Sequence, residues 1–232
     1  FHEWLDLFSA HLVDHPYLLG GHPTIGDYGL IAAMWAHLYR DPVPAALIKR
    51  HAPRVGRWVE RMTTVEPYLH EYDGHDGSLI DSRDIPETLR SMMRYVAEEY
   101  LPEISAHVEV ANNWLAEHPD VEAGTNGLSD PAFRGLTDGG RGLVGNGAAT
   151  FRWRGIDLTT GVMPYRFWLL QRLHDDLAAA SSDEESMVRG LFAETRLEPI
   201  LDLRTIRRVD RVGHLEVWSD PVDPHQHDIE SS

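Results

Sequence analysis

Apolar residues recur at helical spacing over most of this chain. In Phe1–Val13, the residues Trp4, Leu5, Phe8, Leu12 and Val13 fall on one face, and this pattern predicts a helix. His15-Pro16 ends it and Gly20-Gly21 makes a turn. Thr24 is followed three residues later by Asp27, the spacing of a capping box. The residues after Asp27 are apolar on nearly every side. Tyr28, Ile31, Ala32, Trp35 and Tyr39 form one stripe, with Leu30, Ala33 and Met34 opposite. A helix of this kind is expected to be buried all round, and it is too short to span a bilayer. Pro44 opens a short helix through Lys49. Pro53 opens another, with Val55, Trp58, Val59 and Met62 inward and Arg54, Arg57 and Arg61 on a solvated face.

The second half is less regular. His70–Ser78 reads as a polar loop. Asp84-Ile85-Pro86-Glu87 starts a long helical pattern through Leu89, Met93, Val96, Tyr100, Ile104, Val108, Ala111 and Leu115. Pro102 lies inside it, so a kink or two consecutive helices is expected. Gly124–Ala149 is glycine-rich and too long for a plain connector. Phe151-Arg152-Trp153-Arg154 alternates, and Gly155-Ile156-Asp157 suits a hairpin turn. Pro164 opens a helix carrying Phe167, Leu170, Leu173 and Leu177. Ser182-Asp183-Glu184-Glu185 reads as a second capping box, ahead of Met187, Val188, Leu191 and Phe192. Arg207–Trp218 alternates and predicts a strand or hairpin, and Ser219–Ser232 is expected to be a disordered acidic tail.

The chain has 232 residues, a formal net charge of −16 and no cysteine. The length suits one large domain or two small ones. An acidic balance argues against nucleic acid and against an anionic membrane surface as partners. The lack of cysteine removes disulfides, thiolate metal sites and a cysteine nucleophile. Neither a signal peptide nor a long apolar run is visible, so a cytoplasmic location is the expectation.

The run Pro16-Tyr-Leu-Leu-Gly-Gly-His-Pro-Thr-Ile-Gly-Asp-Tyr28, followed by Pro53, Trp58 and Met62, resembles the C-terminal helical domain of glutathione S-transferases. Gly26 departs from that family, which prefers Ala there. The resemblance implies an all-α fold: a helical bundle over residues 1–71, with an incomplete start. A helical extension with a small β element is expected over 72–218, docked on the bundle, and a tail over 219–232. Phe151-Arg-Trp-Arg-Gly with Pro164–Arg172 is similar to an extension of some bacterial glutathione S-transferase-like proteins.

The resemblance also implies a parent protein whose thioredoxin-like N-terminal domain binds glutathione as co-substrate and supplies the catalytic residue. That domain is absent from this chain. The parent would attack a small electrophilic substrate with the glutathione thiolate, and a homodimer fits the family. This chain alone is expected to be inactive, to hold no catalytic residue and to need no cofactor of its own. Thr24 and Asp27 then serve as structural caps. Tyr17, Tyr28, Trp35, Tyr95, Tyr165 and Trp168 are the candidates to line an electrophile cleft. The alternative is a non-catalytic helical interaction or ligand-binding module with the same fold.

Other constellations carry less. Gly139-Gly140-Arg-Gly142-Leu-Val-Gly145-Asn-Gly147 lacks the Gly-Lys-Ser/Thr ending of a phosphate loop. His70, Glu71, Asp73, His75 and Asp76 offer metal-ligand types but read as a solvated loop. His11 with His15, and His225 with His227, are weaker pairs of the same kind, and no metal site is expected. No nucleophile-elbow motif supports a Ser-His-Asp triad.

Overall fold

Prolines and short polar residues set most of the helix starts. Helix α1 (His2–His11) leads into a turn at Tyr17–Gly20, where the two residues exchange backbone hydrogen bonds. Thr24 caps α2 (Ile25–Ala33), which continues as a π-helical turn over Met34–Tyr39. Pro42 and Pro53 open α3 (Pro42–His51) and α4 (Pro53–Met62), each in the first turn where a missing N–H costs nothing. Helix α5 (Glu87–Glu117) runs through Pro102 as one 31-residue element, rather than as two helices. The remaining elements are β1 (Ala148–Trp153), β2 (Ile156–Gly161), α6 (Pro164–Ala179), α7 (Ser182–Glu194), a 3-10 turn at Glu198–Leu201, β3 (Val209–Val212) and β4 (Leu215–Trp218). The fold is all-α with two small antiparallel hairpins, β1–β2 and β3–β4.

This computed structural model describes residues 1–64, 71–128 and 147–220, which fall into two compact units, Phe1–Tyr95 and Val96–Ser232. The expected tail beyond Asp220, and most of the glycine-rich stretch, lie outside the described residues. No described helix is long and apolar enough to cross a membrane.

The core of the first unit is built from Leu5 and Phe8 of α1, Leu12 just after it, Met34, Ile48 of α3, and Val55, Trp58 and Val59 of α4. Met92 of α5 belongs to the same core, although residues 72–95 group with the extension on sequence grounds. The α2 segment is not buried all round. Asp27 and Met34 are its buried residues, with Leu30, Ile31 and Leu38 partly covered on the same side. Ile25 is 91% exposed, Tyr28 59% and Trp35 41%. The outer face carries these three side chains together with Gly26, Gly29, Ala32 and Ala33, and it is left exposed in the first unit. The arginine strip of α4 also needs correction. Arg61 is 6% exposed, because its guanidinium donates to the Pro16 carbonyl at 2.6 Å and lies 5.3 Å from the ring centres of both Tyr17 and Tyr72.

In the second unit α5 contributes Ile104, Val108, Ala111 and Leu115, a helical stripe that meets Phe167 and Leu170 of α6, Leu201, and Trp218 of β4 in one core. Val96, expected on this stripe, is exposed, and Ala97 is buried instead. Hairpin β1–β2 turns at Arg154-Gly155, both at positive φ (44° and 84°), the requirement of a tight two-residue turn. The second capping box sits one residue earlier than expected. Ser181 receives the Glu184 N–H at 3.4 Å, and Glu184 accepts the Ser181 N–H at 2.9 Å. Glu185 pairs with Arg189 instead. Ala148 and Ala149, read as the end of the glycine-rich stretch, already belong to β1. Residues 124–127 line the edge of β4: Gly124 N–H donates to the Trp218 carbonyl, and the Trp218 indole donates to the Gly127 carbonyl at 2.9 Å.

Candidate functional site

Asp27 is the polar centre of the first unit. One carboxylate oxygen accepts the Thr24 N–H and hydroxyl, both at 2.9 Å, which closes the capping box. The other accepts the Leu18 N–H at 3.0 Å and the Trp58 indole N–H at 3.1 Å. The side chain is fully buried. Four donors converge on one anion at a helix N-terminus, where the helix dipole also favours negative charge. The arrangement ties three chain segments together.

His11, also fully buried, stands nearby on α1. Its Nε2 meets the Leu18 carbonyl at 3.1 Å and its Nδ1 meets the Thr88 hydroxyl at 2.9 Å. Burial, with His15 stacked 4.7 Å away, lowers its pKa from 6.5 to about 4. The imidazole is therefore neutral at pH 7. Nε2 carries the proton given to the carbonyl, and Nδ1 accepts from Thr88.

The six aromatic candidates have separate surroundings. Tyr17 is buried against Arg61, and burial raises its phenol pKa. Tyr28 and Trp35 stand on the outer face of α2, with Trp35 6.1 Å from Tyr39. Tyr95 packs on Trp4 at 5.6 Å. Tyr165 and Trp168 are brought together, stacked at 5.9 Å beneath Arg211, whose guanidinium lies 5.7 Å and 5.1 Å from their ring centres. Among the described residues, no group of three or more His, Asp or Glu is arranged to hold a metal. Glu71 is occupied by Arg57 at 2.9 Å, and His75 accepts the Gly77 N–H; His70, His225 and His227 lie outside the described residues.

The second unit contains a polar line that periodicity does not reveal. Glu99, Glu103 and His107 share one face of α5 at four-residue spacing. Glu99 accepts the Trp153 indole N–H at 2.7 Å and pairs with Arg154 at 2.7 Å. Glu103 pairs with Arg166 of α6 at 2.7 Å and accepts the Thr160 hydroxyl of β2 at 3.0 Å. Thr160 Oγ1 lies 2.8 Å from His107 Nε2. Thr160 has one proton and gives it to Glu103, so His107 must donate from Nε2 and keep Nδ1 bare. That Nδ1 is buried without a hydrogen-bond partner. Burial, then the Arg166 charge, lower the His107 pKa. Every bond of the line runs between elements, so it fixes the hairpin and α6 on α5. Trp153, Arg154 and Arg166 all come from the two motifs singled out in the sequence. Their partners on α5 were not singled out in the sequence.

The family model described as "Glutathione S-transferase, C-terminal domain" matches residues 2–66. No curated protein and no solved structure matches the chain. The matched segment holds α1 to α4 and the whole capping constellation of Thr24, Asp27 and Trp58. Over residues 2–66, which are less than half of the chain, the protein is thus similar to the glutathione S-transferase C-terminal domain family.

Proposed function

We propose that this chain is the helical part of a glutathione S-transferase-like protein, whose reaction is attack of the glutathione thiolate on a small electrophile. The observation that carries this reading is the family match over residues 2–66. In the proposed division of labour, the groups that bind glutathione and lower its thiol pKa belong to a thioredoxin-like domain of the parent. This chain supplies apolar and aromatic surface for the electrophile, with the exposed Tyr28 and Trp35 of the first unit as candidates. The working form is a cytoplasmic protein, a homodimer in this reading. No residue described here is assigned to thiol activation.

The test is an assay of the pure 232-residue chain with glutathione and an aromatic electrophile, together with calorimetry against glutathione. Neither turnover nor glutathione binding is expected. Measurable turnover would move the active site into this chain. A second reading, a non-catalytic interaction module, draws on the exposed apolar residues Ile25, Tyr28 and Trp35 of one helix segment. It gains if the parent protein also fails to conjugate glutathione.

A further inference from the structure

The second unit contains a small cleft at the side of α6, away from the aromatic pair Tyr165–Trp168. Phe167 and Leu170 form its apolar lining, and Gln171, His174, Arg204, Thr205 and Arg208 form its polar lining. The open room is about 60 Å³, enough for several waters or for a molecule of a few heavy atoms.

Its walls are held from every side. Gln171 accepts the Val209 N–H at 2.9 Å and donates to the Val209 carbonyl at 3.0 Å. Asn112 of α5 clamps the loop, accepting the Ile206 N–H at 2.8 Å and donating to the Arg204 carbonyl at 3.0 Å. Arg208 is bidentate on Asp175, at 3.0 Å and 2.8 Å, so those two charges satisfy each other. Thr205 donates its hydroxyl to the Arg207 carbonyl.

Two groups in this lining keep unused capacity. Arg204 donates one N–H, from Nη1, to the Leu201 carbonyl at 3.0 Å, and among the described residues no carboxylate lies within ion-pair distance of it. Among the described residues its other donors meet no protein acceptor, and the side chain is solvent-exposed. His174 gives its Nε2 proton to the Ile200 carbonyl at 2.9 Å. Burial is the main cause that lowers its pKa, so it is neutral and Nδ1 is a bare acceptor. A ligand that uses both must bring an anion for Arg204 and a hydrogen-bond donor for His174. The adjoining Phe167 and Leu170 require a short apolar stem.

We propose that this cleft binds a short-chain hydroxycarboxylate: the carboxylate on Arg204, the hydroxyl donating to His174 Nδ1, and the alkyl part against Phe167 and Leu170. The Asp175 carboxylate does not oppose this, because Arg208 covers both of its oxygens. The Asp202 charge also reaches His174, as the smallest of the effects on it. The site is independent of the thiol chemistry proposed above, and its failure would leave that reading untouched.

The experiment is titration of the full chain at constant ionic strength with lactate, its neutral isostere lactamide, propionate and inorganic phosphate. It is followed by NMR of the Gln171 side-chain amide and the Arg204 Nε–H. Saturable shifts with lactate are expected, with lactamide weaker by about tenfold, the worth of one charge-assisted hydrogen bond. R204Q should weaken lactate to the lactamide level, and H174F should reduce lactate to the level of propionate. Equal response to lactate and lactamide, tighter binding of phosphate than of lactate, or unchanged lactate binding in R204Q would overturn the proposal. If either variant does not fold, the lactate–lactamide comparison on the unaltered chain decides.

Discussion

At the scale of single residues, the first unit depends on Asp27 and His11. Asp27→Ala removes a cap and leaves the buried Trp58 indole without an acceptor. The cap costs about 0.5–2 kcal/mol and a buried orphaned donor about 1–3 kcal/mol. A loss of roughly 2–4 kcal/mol is therefore expected, read as a lower denaturant midpoint. An unchanged midpoint would remove Asp27 from this role. His11 makes stability depend on pH. Its folded pKa, about 4, lies below the unfolded value of 6.5. Between these values the unfolded chain takes up a proton that the folded chain refuses, so stability falls as pH falls through that window. The loss is on the order of 3 kcal/mol once pH is below 4. Urea denaturation at pH 7, 5.5 and 4.5 should show this slope, and His11→Gln should flatten it. The Thr24–Asp27 contact was legible in the sequence because it is local. The Trp58 bond was not, because 31 residues separate donor and acceptor.

At the scale of elements, the hairpins were the most legible part. The alternation of Phe151–Arg154 was legible, but the turn expected at Gly155-Ile156-Asp157 falls at Arg154-Gly155, because Ile156 and Asp157 already pair in β2 with Trp153 and Arg152. Gly155 has φ +84° and open space where a Cβ would stand, so Gly155→Ala meets a conformational cost alone. Thermal melts should register about 1 kcal/mol of destabilisation, with the fold retained. A change near zero would mean that the turn rearranges freely. The start of α7 was legible only to within one residue, since Ser181–Glu184 and Ser182–Glu185 have the same spacing. The π-helical turn at Met34–Tyr39 and the pairing of residues 124–127 with β4 were not legible. The first has no residue pattern in the sequence that marks it. The second depends on backbone bonds and on the Trp218 indole, whose acceptor lies 91 residues away.

At the scale of the whole chain, α5 matters most. It gives Met92 to one core and Ile104, Val108, Ala111 and Leu115 to the other. It also brings Thr88 to His11. A helix this long cannot bury its apolar residues alone, so its stability comes from packing. We expect one cooperative thermal transition for residues 1–232, and no stable folded fragment ending near Tyr72, since that cut removes both Met92 and Thr88. Two separated calorimetric transitions would show that the halves melt independently. Most helices, and the family likeness of residues 2–66, could be read from periodicity and one capping motif. The partners of Glu99, Glu103 and His107 could not, because a helix face does not say which strand or helix will meet it.

The four bonds on Asp27 also differ in when they can form. Thr24 is three residues away and can find the carboxylate as soon as the first turn of α2 appears, whereas Trp58 arrives only when α4 closes a loop of about 30 residues. The cap thus forms early and is locked late. One side chain joins a bond that needs only the first turn of α2 to a bond that needs α4 in place.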